Sequence, residues 1–180
     1  MRVITGKARG KKLISPEGMN IRPTTDMAKE AIFSIIHFEI EQASILDLFA
    51  GSGQLGIEAL SRGARFCVFV DSSREAQEIV RKNVADTGFS AQSRVVAMDY
   101  QSFLQSTKDV FDIVFIDPPY EKNIAQTALP LVAQKMSDSG IIICETAKTE
   151  QLPDTAGSFA KKKEYRYGKT KITTYRKIEE

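Results

Sequence analysis

The segment of this sequence with the most specific chemistry is Asp117-Pro118-Pro119-Tyr120, which follows the apolar run Phe111–Ile116. An amino group attached to a flat heteroaromatic ring is a poor nucleophile, because its lone pair is delocalised into the ring. Two acceptors that hold both of its N–H bonds can turn that lone pair toward an electrophile. The Asp117 carboxylate and the Pro118 carbonyl form such a pair. Pro118 and Pro119 stiffen the backbone and bring no N–H groups that need partners of their own. Tyr120 offers a flat face for a ring to stack on, worth about 1–3 kcal/mol for a nucleic-acid base. The plainer reading is a rigid turn in which the prolines end a strand.

A second segment, Asp47-Leu48-Phe49-Ala50-Gly51-Ser52-Gly53-Gln54-Leu55-Gly56, has glycines in G-x-G-x-x-G spacing between an expected strand and an expected helix. Glycine permits a tight turn there and lets a ligand approach the backbone. Asp71 lies at the end of the next expected strand, where a carboxylate can accept ribose hydroxyls. Dinucleotide enzymes use the same device, but Asp47, two residues before Phe49, would repel a pyrophosphate and attract a sulfonium or an ammonium. Asp99, at the end of the third expected strand, suits either an adenine amino group or the cap of the helix after it. Candidate cofactor-binding residues from this pattern are Asp47, Phe49, Gly51, Gly53, Asp71 and Asp99.

Both segments need strands to carry them. Apolar runs at Ile45–Phe49, Phe66–Val70, Arg94–Met98, Phe111–Ile116 and Gly140–Glu145 alternate with expected helices near 54–62, 73–86, 100–107 and 123–137, with Gly63 and Gly88 as helix stops. Repeated β-α units of this kind imply a doubly wound, mostly parallel sheet. In such a sheet the first and fourth strands are neighbours, so the tetrapeptide and the glycine loop would meet at the carboxyl ends of the strands. Phe159–Arg166 and Thr170–Lys177 read as a closing antiparallel hairpin. Residues 1–43 read as an extension made of a hairpin over 2–14, a loop and a helix opened by Thr24-Thr25-Asp26. Residues 44–180 read as a Rossmann-like catalytic core, and the whole of 1–180 as a single domain.

The 180 residues are 42% hydrophobic and 27% charged, an ordinary globular composition. No apolar run approaches the roughly 20 residues that span a bilayer, and no signal-peptide pattern is present. A cytoplasmic location and a monomer are expected. Cys67 and Cys144 are unpaired in spacing and expected in the core, and no metal site is expected. His37 is expected to be partly buried and structural. Tyr165, Tyr167 and Tyr175 are expected to pack on the sheet. Net charge is +2, but residues 1–22 carry +5 and residues 161–177 carry +7, which leaves −10 for the remainder. Two basic segments suit a polyanionic partner if the fold brings them to one face.

At these motifs the chain resembles amino-group methyltransferases of nucleic acids. More narrowly, it is similar to the RsmD family, bacterial 16S ribosomal RNA guanine-N2 methyltransferases. The resemblance rests on Arg2-Val3-Ile4-Thr5-Gly6 with Arg9-Gly10-Lys11-Lys12-Leu13, and on Arg22-Pro23-Thr24-Thr25-Asp26. It continues in Leu46–Gly53 with Leu55-Gly56, in Glu58–Ala64, and in Asp117-Pro118-Pro119-Tyr120. Within these segments Ala8 stands where an aromatic is common and Lys11 where an arginine is frequent.

The resemblance implies a class I S-adenosylmethionine-dependent methyltransferase fold with a seven-stranded sheet. It implies S-adenosyl-L-methionine as donor, and 16S ribosomal RNA or the small ribosomal subunit as substrate and partner. It assigns Asp117, Pro118, Pro119 and Tyr120 to catalysis. It puts Arg22, Thr24 and Thr25 near the cofactor or the entering base, and the N-terminal hairpin, with Arg2, Lys7, Arg9, Lys11 and Lys12, on RNA. Two other readings stay open at this point: a DNA adenine-N6 methyltransferase, and a nucleotide- and RNA-binding module without catalysis.

Overall fold

The computed structural model describes residues 1–16, 25–119 and 123–180. Five parallel strands, β1 (Ser44–Leu48), β2 (Phe66–Asp71), β3 (Ser93–Ala97), β4 (Phe111–Ile116) and β5 (Met136–Ala147), form most of one sheet. Three further strands, β6 (Thr155–Ala156), β7 (Phe159–Tyr167) and β8 (Thr170–Lys177), run antiparallel and complete it in the order β3-β2-β1-β4-β5-β8-β7-β6. The sheet thus has one strand more than expected. The addition, β6, is a two-residue edge strand too short to leave a pattern in the sequence.

Alternation along the strands sends side chains to both faces, and both faces are covered. Ile45, Phe69, Phe115 and Ile143 pack with α1 (Asp26–Ile35), α2 (Gln54–Ser61) and α3 (Arg74–Thr87). Leu46, Val70, Val114 and Ile142 pack with α4 (Tyr100–Ser106) and α5 (Ile124–Ala133). Cys67 and Cys144 are buried, and Tyr175 is buried with its hydroxyl donating to the Pro153 carbonyl at 2.6 Å. Tyr165 and Tyr167 are half-buried against the first of these cores. α5 stops sooner than its apolar pattern suggests, because Met136 already pairs with Phe111 at the start of β5. His37 is exposed, against expectation, and stacks edge-on to the exposed Phe38.

The N-terminal extension is held by polar groups that the helical pattern conceals. Its hairpin contains only one bridge, Arg2 to Lys12, rather than two strands. Val3, Ala8 and Leu13 nevertheless pack into the same core as α1 and α2. Glu58, fully buried on α2, accepts the backbone N–H groups of Ile4 (2.8 Å) and Thr5 (3.1 Å) and pairs with Lys29 (3.2 Å) and Arg62 (3.0 Å). Burial alone would raise the Glu58 carboxyl; these N–H groups and cations outweigh it and hold it below the usual carboxylate range. Gly6 lies so close to Ser61 that any Cβ there would overlap the Ser61 carbonyl. Among the described residues no helix is long and apolar enough to cross a membrane.

Candidate active site

β1 and β4 are neighbours, with Leu48 opposite Ile116. The glycine loop and Asp117 therefore leave the sheet side by side, at the carboxyl ends of the strands. Phe49 turns the chain out of β1 with φ at 77°, a region that bulky residues rarely adopt and that costs about 1–3 kcal/mol. The N–H groups of Phe49 and Ala50 both donate to the Val70 carbonyl, at 3.0 and 2.9 Å, which fixes the turn against β2. Gly51 and Gly53 follow with positive φ, and Gly53 is the N-cap of α2. A Cβ on Gly51 would meet nothing within 4 Å, so the loop faces open space. A Cβ on Gly56 would overlap the Phe69 ring, so the third glycine lets α2 lie close on the sheet.

The carboxylates around this loop have distinct surroundings. Asp71 bridges two loops, accepting the N–H groups of Gly51 and Ser73, each at 2.9 Å. Asp47 is buried and accepts the Gly56 N–H in the first turn of α2, at 3.0 Å. Burial pushes its carboxyl up to about 7, against the pull of that hydrogen bond, and the charge of Asp71 adds to the rise. Asp99 is the N-cap of α4, accepting the N–H of Ser102 at 2.9 Å and its hydroxyl at 2.7 Å. These two bonds hold its carboxyl below the usual range. Asp117 is half-buried and Pro118 buried, while Pro119 is exposed.

All of these carboxylates line one cavity of about 540 Å³, within the range of small-molecule sites. Phe49 and Tyr100, with ring centroids 5.2 Å apart, supply an aromatic part of its wall together with Met98. The lining contains five carboxylates, Asp47, Asp71, Glu75, Asp99 and Asp117, and among the described residues no lysine, arginine or histidine. Such a cavity opposes a pyrophosphate and favours a cation.

Met1, Ser15 and Pro16 of the extension close one side of the cavity, which the motifs alone do not reveal. Asn83 on α3 holds them there. It is fully buried, its Oδ1 accepts the Ile14 N–H at 2.8 Å, and its Nδ2 donates to the carbonyls of Ile14 (2.9 Å) and Ser52 (2.8 Å). Of the other expected site residues, Thr25 lies outside the cavity lining and caps α1, its hydroxyl accepting the Ala28 N–H at 3.2 Å. Arg22, Thr24 and Tyr120 lie outside the described residues. Arg2, Lys7, Arg9, Lys11 and Lys12 are all exposed. The tip of their hairpin packs on Ser61, about 12 Å down α2 from the glycine loop at 1.5 Å per residue.

This strand order, with a glycine loop after β1 and an acid at the end of β2, is the class I S-adenosylmethionine-dependent methyltransferase fold. The family model described as Conserved hypothetical protein 95 matches residues 1–176. The chain belongs to this family, the RsmD family that its motifs resemble. It is similar to YlbH of Bacillus subtilis, with 36% identity over 98% of this chain and 99% of that one. It is also similar to the Ribosomal RNA small subunit methyltransferase D of Escherichia coli strain K12, 32% identical over 98% of this chain and 90% of that one. The solved structure of yhhF from Escherichia coli superposes with a TM-score of 0.87, 33% identity, and coverage of 98% and 97%. A likeness in fold alone extends to SMU.776, solved in complex with SAH, at a TM-score of 0.69 and 15% identity over 83% of this chain and 48% of that one.

Proposed function

We propose that this protein transfers a methyl group from S-adenosyl-L-methionine to the exocyclic N2 amino group of a guanine in 16S ribosomal RNA. The observation that carries this reading is the meeting of Asp117 and the glycine loop in one cavity whose described walls hold carboxylates and no basic side chain. The names of the relatives, ribosomal RNA methyltransferases of the small subunit among them, support the substrate class.

The donor fits the cavity on two counts. Gly51 leaves room against the loop, and the anionic lining matches a ligand with a sulfonium and an ammonium. Asp71 and the loop backbone would hold its ribose, Asp47 would face its positive end, and Phe49, Tyr100 and Asp99 would receive its adenine. When bound, it supplies a methyl group activated by the positive sulfur.

The protein's own residues do the rest. The Asp117 carboxylate and the Pro118 carbonyl accept the two N–H bonds of the base amine and turn its lone pair into the cavity. Pro119 fixes that turn, and Tyr120 stacks on the base. The methylated amine then loses a proton, with Asp117 as its first acceptor. The base reaches the cavity only when unstacked, which costs least in a loop of RNA. The family resemblance gives Arg22, Thr24 and Thr25 to the cofactor or the entering base, and Arg2, Lys7, Arg9, Lys11 and Lys12, exposed on the N-terminal hairpin, would contact the RNA backbone.

A transfer assay tests this reading. Purified protein, labelled donor and small ribosomal subunits from cells lacking the protein are expected to give label in 16S RNA. Label in duplex DNA, or none in any nucleic acid despite tight donor binding, would replace the proposal with one of the two readings left open by the motifs.

A further inference from the structure

β8 runs antiparallel to β5 and pairs Thr170 with Ala147. The turn between β7 and β8 therefore stands at the carboxyl end of β5, the same end of the sheet as Asp117 and the glycine loop. The Lys148 N–H donates to the Lys169 carbonyl at 2.9 Å and ties the exit of β5 to this turn. The far basic segment of the chain thus lies at the cavity's end of the sheet, on β8 two strands from β4, while the tip of the N-terminal hairpin lies down α2.

Charges on this hairpin divide into two sets. Lys161 and Lys171 pair with Glu164, its one acid, at 3.1 and 3.7 Å. Arg176 pairs with Glu39 at 2.7 Å and Lys177 with Asp138 at 2.6 Å. Lys162, Lys163, Arg166 and Lys169 are exposed and make no ion pair among the described residues, although the charge of Arg166 helps to lower the Glu164 carboxyl. Lys148, also exposed, joins Arg166 and Lys169 at this end of the sheet. An anionic cavity and a cationic cluster at the same end of the sheet keep phosphates out of the first and hold them at the second.

We propose that the cluster formed by Lys148, Arg166 and Lys169 grips the phosphate backbone of the RNA whose base enters the cavity, with Lys162 and Lys163 extending the track along β7. This inference rests on the RNA substrate proposed above. A competing use of these lysines is to guard an open edge, since β6 covers only Phe159 and Ala160 of β7.

The test is a variant carrying Lys148→Gln, Arg166→Gln and Lys169→Gln, all at exposed positions, compared with wild type. The measurements are binding of 16S RNA fragments over a salt series, KM and kcat for RNA, and donor affinity. Loss of three phosphate contacts is expected to weaken RNA binding on the order of 10- to 100-fold near 0.1 M salt, and to lower the slope of log K against log salt by about 2. KM for RNA is expected to rise, with kcat at saturating RNA and donor affinity unchanged. Unchanged RNA affinity and slope in the folded variant overturn the proposal. So does self-association of the variant without loss of RNA binding, which assigns the charges to the edge. If wild type itself neither binds nor methylates RNA, the parent reading fails instead.

Discussion

The Asp47 carboxylate accepts the backbone N–H of Gly56 at 3.0 Å, joining the end of β1 to the first turn of α2 at the buried floor of the cavity. With its carboxyl raised to about 7, Asp47 is largely protonated in the empty protein below neutral pH. A cation in the cavity favours the carboxylate, so donor binding releases a proton there. Affinity for the donor is expected to tighten about tenfold from pH 6 to pH 8 and to level off above. Asp47→Asn should bind more weakly and lose most of this dependence. Titration calorimetry in two buffers of different ionisation heat measures the proton directly. Between the ordinary value of 3.8 and about 7 the empty folded chain binds this proton more tightly than the unfolded chain. Its stability therefore falls as pH rises through that window.

Glu58 is the buried anchor of the N-terminal extension, with Lys29 on one side and Arg62 on the other. Glu58→Ala leaves Lys29 without its charge partner and two N–H groups without acceptors. A loss of about 3–5 kcal/mol is expected in denaturant unfolding. Because its carboxyl is held below the usual range, its contribution is present at neutral pH and is lost as pH falls through its lowered value.

Asn83 bonds Ile14 and Ser52 together, and so couples the segment that closes the cavity to the cofactor loop. Asn83→Ala should cost about 1–3 kcal/mol for the buried Ser52 carbonyl that loses its donor, and less for the two Ile14 groups, which water can reach. Donor affinity should fall as well, even at temperatures where the variant is fully folded. Isothermal titration alongside thermal unfolding separates the two effects; unchanged donor affinity in the folded variant contradicts the coupling.

The parallel strands and both cavity loops are readable in the sequence because each follows from a local rule. Apolar runs mark doubly covered strands, glycine marks positive φ at Gly51 and Gly53, and proline marks the stop after Ile116. Lys29, Glu58 and Asn83 follow no such rule. On a helix a charged or amide residue ordinarily signals solvent, and their burial depends on contacts 54 to 69 residues away for Glu58 and Asn83. One clue is local: α2 is apolar or small around almost its whole circumference, which suits a helix covered on every side. Asp99 illustrates the converse. The pattern Asp-x-x-Ser fits a capping residue, and the structure shows that cap at the edge of the cavity.

The most direct measurement is nucleoside mapping of 16S RNA from cells lacking this protein, complemented with wild type or with Asp117→Ala. One N2-methylguanosine is expected to vanish on deletion, return with wild type, and stay absent with Asp117→Ala, whose donor affinity remains near normal and whose transfer rate falls by at least about 100-fold. An unchanged set of methylated guanines on deletion, or full restoration by Asp117→Ala, would contradict the assignment of this cavity to guanine N2.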